Sequence, residues 1–293
     1  MSLWEKIKTT AKLGLAGLVL ATGISFNSAR ADPISTDYFT PSCHWKFDGN
    51  AEDSSGRGND LVNSGVQYSE GKLGQAAEFK NNGGGQYFLL TNREDINFEK
   101  EDFTIAAWFK TNANNIDDMT LITKGGWSSG CWDIYIWRQK NDPTFPLNHE
   151  LRLLGNDGSN WSVKYHSKNP INDGNWHRFV YTRDNPTGNV KAYLDNEETS
   201  LIKDYGTTMQ GDFTNNSDLL IGKVGNSQQI LQYSFLDDVR LYKGYSWTAD
   251  DVTYDWNNGE GRDIPISEPA TLALLGSGIL TGIGYSLRKR TKD

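Results

Sequence analysis

The sequence predicts an all-β protein built as an antiparallel sandwich of two sheets, and three observations carry that prediction. Short runs rich in Val, Ile, Phe, Tyr and Trp recur through residues 42–261, separated by Gly, Asn, Asp and Pro; such side chains suit a pleated surface, and such separators suit tight turns. Thirteen Tyr, 12 Phe and 10 Trp accompany 30 Gly in 293 residues, a balance that favours strands and turns over helical packing. Several runs alternate apolar and polar residues, the period of a strand with one buried face.

In order, strands are expected at 44–47, 71–79 (after a turn), 86–90, 103–110, 119–124, 132–137, 150–154, 161–165, 176–183, 190–194, 219–221 and 235–242. Residues 48–60 form a polar, Gly-rich loop, and 246–252 reads as a short capped helix. The 235–242 run places Phe235, Asp237, Val239 and Leu241 on one face and Leu236, Asp238, Arg240 and Tyr242 on the other. Adjacent carboxylates in so apolar a strand require something positive beside them.

The ends differ from the middle. Lys6, Lys8 and Lys12, an apolar run at 13–24 and Ala29-Arg30-Ala31 make 1–31 a secretory signal peptide. Residues 270–287 are uncharged and apolar enough for a thin transmembrane-like helix, and Arg288-Lys289-Arg290 forms a cytoplasm-facing basic end. Between the ends, residues 32–264 hold 21 basic and 34 acidic residues, a net charge of −13. That surface argues against nucleic acid as a partner and suits an exported domain or bound cations. The organisation is a signal peptide at 1–31, one domain at 42–261, a linker at 262–269 and a membrane-contacting tail at 270–293.

Ser267, Glu268 and Pro269, followed by Ala270-Thr271, the apolar run and the basic tail, resemble the PEP-CTERM sorting signal, with Ser267 in place of the usual first Pro. The resemblance implies processing by an exosortase after a transient inner-membrane stage. Delivery would be to the cell surface or extracellular matrix of a Gram-negative-type bacterium. A plain C-terminal anchor remains open.

Phe47-Asp48-Gly49, the 53–60 loop, Gly74-Gln75-Ala76, residues 103–108, Trp176-His177-Arg178-Phe179, Tyr193-Leu194-Asp195-Asn196 and residues 236–242 together resemble the laminin-G-like, concanavalin A-like jelly-roll domain. Asp195-Asn196 stands where many such domains have Asp-Gly, a turn substitution that Asn tolerates. The resemblance implies that the first and last strands lie together and that a structural Ca2+ joins the early loop to the Asp pair. The ligands would be Asp48, Asn50, Asn59 and Asp238, with Asp53 and Asp237 as second choices, because calcium takes carboxylate, carbonyl and water oxygens. Alternatively, Asp237 or Asp238 pairs with Arg57 or Arg240.

Alternation sets Trp108, Tyr135, Trp137, Arg152, Arg178 and Tyr193 on the outside of their strands. On one concave sheet face they would stack on and hydrogen-bond a sugar; covered by loops, they would form a second small core. No enzyme is expected. The Glu-X-Asp-X-X-Glu spacing of concanavalin-like glucanases is absent, the four His lack zinc spacing and no phosphate-binding Gly motif occurs. Cys43 and Cys131 allow one disulfide in an exported chain, or two separate buried thiols. The reading is a surface-sorted, non-catalytic domain binding polysaccharide or another matrix component. The alternatives are a structural or adhesive surface protein with a protein partner and, more weakly, a degenerate glycoside hydrolase.

Overall fold

A computed structural model describes residues 40–263 apart from 81–84, 113–117, 127, 139–148, 159–163, 166–170, 200, 203–207 and 226–229. The signal peptide, Ser267, Glu268, Pro269 and the 270–287 run therefore lie outside the described residues. Among the described residues, no helix is long and apolar enough to cross a membrane.

The strands are β1 (Cys43–Trp45), β2 (Val62–Ser64), β3 (Gln67–Glu70), β4 (Gln75–Phe79), β5 (Tyr87–Leu90), β6 (Phe103–Thr111), β7 (Met119–Lys124), β8 (Cys131–Arg138), β9 (His149–Asn156), β10 (Lys164–Tyr165), β11 (Trp176–Asp184), β12 (Asn189–Leu194), β13 (Glu197–Glu198), β14 (Leu201–Ile202), β15 (Leu219–Ile221) and β16 (Ser234–Lys243). One sheet has the order β13-β12-β11-β6-β16-β4-β3, with β1 also pairing with β16, and the other has the order β2-β5-β15-β7-β8-β9. β10 and β14 form a separate pair. All pairings are antiparallel. The first strand thus lies beside the last, with Cys43 opposite Leu241 and Trp45 opposite Val239.

Alternation builds the core between the sheets. Phe103, Ile105, Ala107 and Phe109 of β6 meet Ile134 and Ile136 of β8 and Leu151 and Leu153 of β9 in one buried cluster. Phe98, from a short 3-10 segment's exit, stacks on Phe103 of the first sheet at 4.5 Å and on Trp132 of the second at 5.4 Å, so aromatic area is shared across both layers. β1 stops earlier than its sequence pattern suggests because Phe47 adopts φ +59. The β12–β13 turn uses Asp195 (φ 51) and Asn196 (φ 69), the two left-handed positions of a tight hairpin, which Asn and Asp tolerate.

Strict alternation fails in β16. A register shift between Asp237 and Arg240, with Asp238 at φ 51, inserts a bulge. Leu236 enters the core before it, and Val239 and Leu241 enter after it. Phe235 instead packs outside, 6.1 Å from Trp176. The expected grouping of Phe235 and Asp237 with Val239 and Leu241 is therefore corrected: one extra residue reverses which side chains point inward.

The helix α1 spans Ala249–Trp256 rather than 246–252. Thr248 is its N-cap, and Thr248 and Asp251 form a reciprocal capping box. Val252 packs with Ala106, Val180, Tyr193, Tyr242 and Trp247 in a second buried cluster on the first sheet's outer side. Cys43 and Cys131 are both free and buried, so the expected disulfide is not formed. They stand on strands of opposite sheets, and burial, with Asp133's charge next, pushes the Cys131 thiol up to about 11.

Candidate functional site

The six side chains expected to form one recognition face all point outward, but from two sheets. Trp108, Arg178 and Tyr193 belong to β6, β11 and β12 of the first sheet, whereas Tyr135, Trp137 and Arg152 belong to β8 and β9 of the second. The first three are withdrawn as ligand-binding residues because the helix and chain exit cover them. Trp108, 1% exposed, stacks on Trp256 at 5.3 Å. Gly261 lies so close over its indole that a Cβ there would come within 3.1 Å of Nε1. Arg178 is buried against Asp255 at 2.8 Å, and Tyr193 joins the second core.

Tyr135, Trp137 and Arg152 do come together. Tyr135 pairs across the ladder with Arg152, and Trp137 with Glu150. The Arg152 guanidinium lies 3.3 Å from the centre of the Trp137 ring and donates to Glu150 at 2.6 and 3.0 Å. Glu150 fixes the cation, and the cation fixes the indole. Tyr135 and Trp137 remain half-buried.

One register row crosses this outer face: Leu89, Leu220, Thr123, Asp133 and Leu154 lie opposite one another in sequence through β5, β15, β7, β8 and β9. Asp133 is 5% exposed, and its Oδ1 makes no hydrogen bond among the described residues. Burial first, then the charge of Asp118, pushes its carboxyl up to about 8. The Thr120 and Thr123 hydroxyls are likewise buried without a hydrogen bond.

At the other end of the row is a cavity of about 500 Å³. Leu89, Leu220 and Thr123 line it together with Tyr87, Asp218 and Lys223. Lys124 is fully buried and donates to the Asn215 backbone oxygen at 2.9 Å and to Asn215 Oδ1 and the Ser217 oxygen at 3.0 Å. It therefore pins the 215–218 segment, which contributes Ser217 and Asp218 to the cavity wall. These cavity residues were not singled out from the sequence, although alternation in 86–90 puts Tyr87 and Leu89 opposite the core residues Phe88 and Leu90.

Two sheets with this order, closed by the last strand, agree with what a family comparison finds: a laminin G-type model described as the concanavalin A-like lectin/glucanases superfamily matches residues 82–253, more than half of the chain. The chain belongs to this superfamily. Among solved structures, the superfamily chain is similar to domain 4 of AbnA, a GH43 extracellular arabinanase from Geobacillus stearothermophilus, in complex with arabinotriose. That match has 19% identity and TM-score 0.53 and covers 73% of this chain and 97% of that one. It is also similar to the binding domain of Paraclostridial Mosquitocidal Protein 1, with 18% identity, TM-score 0.55, and 76% and 53% of the two chains covered. The botulinum neurotoxin DC binding domain, in complex with rat synaptotagmin II, gives 16%, 0.55, 75% and 52%. The chain thus spans about half the length of these two toxin binding domains. No curated protein matches it significantly.

In this superfamily domain, the six expected calcium ligands separate into different settings. Asp238 is removed from the set because it is already neutralised: it lies 2.8 Å from His44, 2.8 Å from Arg240 and 3.2 Å from Arg178. Burial opposes its ionisation, but Arg240, His44 and Arg178 outweigh burial and hold it at about 2. Asp53 accepts the amides of His44, Ser55 and Asn59, all at 2.9 Å, and serves as the hub of the early loop. Asn59 is fully buried, bonded to Ser42 at 2.7 Å and to Arg93 at 2.8 Å, whereas Asn50 is exposed beside Glu52.

Asp48 and Asp237 both bind the turn before β4. Asp48 accepts the Gln75 amide at 2.8 Å, and Asp237 accepts those of Lys72 and Leu73 at 2.7 and 2.8 Å. Asp237 is fully buried, and its Oδ1 makes no hydrogen bond among the described residues. Burial raises it to about 7, assisted by the charges of Asp238 and Asp48 and opposed by the two amides. No group of three or more His, Cys, Asp or Glu side chains is placed to hold a metal among the described residues. A cation here would therefore need backbone and water oxygens as well.

Proposed function

We propose that this chain is an exported, non-catalytic carbohydrate-binding domain that engages an exopolysaccharide or another matrix glycan through the outer face of its six-stranded sheet. The observation that carries this reading is the Tyr135–Trp137–Arg152 group, with an indole and a phenol on one face and a guanidinium held against them by Glu150. Aromatic faces and fixed charged donors are the ordinary means of gripping sugar rings and hydroxyls. The GH43 domain crystallised with arabinotriose supports a glycan partner.

The spacing of one carboxylate pair on this face fits binding better than hydrolysis. Asp133 and Glu150 face the same side, but Glu150 lies opposite Trp137, four residues from Asp133 along β8. Strand rise makes that roughly 13 Å, beyond the approximately 5–9.5 Å separation of glycosidase pairs. Release of reducing sugar from the organism's own exopolysaccharide would instead favour the hydrolase reading.

A glycan array with the purified protein tests the proposal. Binding is expected, and Trp137→Ala should weaken it at least tenfold while the protein still unfolds in one cooperative transition, at a lower melting temperature because the Arg152 contact is lost. Absence of binding to every glycan would favour the second reading, adhesion to a protein, supported by the similar toxin domain in complex with synaptotagmin II.

A further inference from the structure

The cavity at the β5–β15–β7 end of the outer face is lined, among the described residues, by one lysine, Lys223, and one carboxylate, Asp218. Its two cationic neighbours have different roles. Lys124 is consumed by three oxygens of the 215–218 segment, and Asp218 is the carboxylate whose charge bears on it. Asp218 also accepts the Asn92 amide at 2.9 Å. Lys124 is thus occupied by the 215–218 segment, outside the cavity lining. Lys223 has no such partner: among the described residues no carboxylate pairs with it, and its ammonium rests 3.6 Å from the centre of the Tyr87 ring.

The surroundings make this lysine informative. The domain segment carries a net −13, so carboxylates are abundant, yet among the described residues none forms an ion pair with Lys223, although Asp218 lines the same cavity. A ring quadrupole offsets only part of an ammonium's charge. Beneath it, Leu89 and Leu220 give an apolar floor, and Thr123 adds a buried hydroxyl without a hydrogen bond. Together these features fit a ring with C–H faces, a hydroxyl and one negative substituent. The cavity's volume of about 500 Å³ suits one or two sugar units.

We infer that the cavity receives an acidic sugar residue, its ring over Leu89 and Leu220, a hydroxyl toward Thr123 and its carboxylate on Lys223. This rests on the glycan-binding reading above and specifies the ligand class for the same sheet face. An ammonium–carboxylate contact in a partly desolvated cavity distinguishes uronates from neutral sugars, because a neutral analogue leaves the cation unmatched.

Affinity electrophoresis of the purified protein in gels containing polygalacturonate, alginate or hyaluronate, each beside its carboxyl-reduced counterpart, tests the inference. At least one polyuronate is expected to bind ten times more tightly than its reduced form. Lys223→Gln should equalise the two at an unchanged melting temperature, and Lys223→Arg should retain the preference. Equal binding of acidic and reduced polymers, or a preference surviving Lys223→Gln, overturns the acidic-sugar assignment while glycan binding stands. Failure to bind any of these polymers or any glycan on a neutral array overturns both.

Discussion

Asp133 illustrates how much one residue's surroundings matter. Its carboxyl is pushed up to about 8, mainly by burial, against about 3.9 in an unfolded chain. Between those values the folded chain keeps a proton that the unfolded chain releases, so stability falls as pH rises through roughly 4 to 8. Each unit inside the window costs up to about 1.4 kcal/mol. Asp133→Asn should match the wild type near pH 4 and melt at a higher temperature at pH 8; parallel melting curves across the range would refute this account. Asp255 has the opposite dependence on its neighbours. It binds Arg178 at 2.8 Å and Arg240 at 2.7 Å in a buried site that also contains Asp238. Removing it strands positive charge in a dry place, so Asp255→Ala should cost about 3–5 kcal/mol in denaturant unfolding. A loss below about 1 kcal/mol would mean that the network relaxes or hydrates without it.

Among the elements, β16 and α1 act as one closure. The bulge at Asp237–Arg240 turns Asp237 toward the 71–75 turn and Asp238 toward the arginines. The same kink lets α1 lie on the first sheet, with Asp255 reaching both guanidiniums. Residues 71–75 hang from two carboxylates supplied by other segments, Asp48 and Asp237, and Asp237 keeps one buried oxygen without a hydrogen bond among the described residues. A shared calcium would supply the missing positive charge. In line with that proposal, calcium should raise the melting temperature relative to chelator, and Asp237→Asn should abolish the difference. An identical midpoint in calcium and chelator would remove the site.

At the scale of the whole molecule, the proposed export and sorting signals lie in the two ends, outside the described residues. The proposal that 1–31 is cleaved and that Ser267, Glu268 and Pro269 direct exosortase processing predicts a mature protein beginning near Asp32 and lacking the residues beyond about Pro269. Intact mass measurement on the surface fraction checks this, and a retained tail at the membrane would argue for a simple anchor.

The fold class and the inward side of β6, β8, β9, β11 and β12 were legible in the sequence, because alternation is a property of the local backbone and a strand has only two faces. The pairing of first and last strands was implied by the family resemblance, and the Asp195-Asn196 turn by the residues Asn and Asp that tolerate it. Which sheet each strand joined was not legible. Trp108 and Trp137 have similar local patterns, yet one lies under Trp256 and the other beside Arg152. The inward turn of Leu236 was equally hidden, since one inserted residue in β16 reverses its face relative to the side chains after the bulge, whereas the Asp238–Arg240 pair matched the alternative read from the sequence. The sequence by itself determined the all-β fold class and an acidic segment with aromatic and arginine side chains outside its strands, and it carries the proposal of an export signal and a sorting tail. Only the tertiary structure decided which of those side chains a helix buries and which stand together on the second sheet, because long-range pairing and packing set that division.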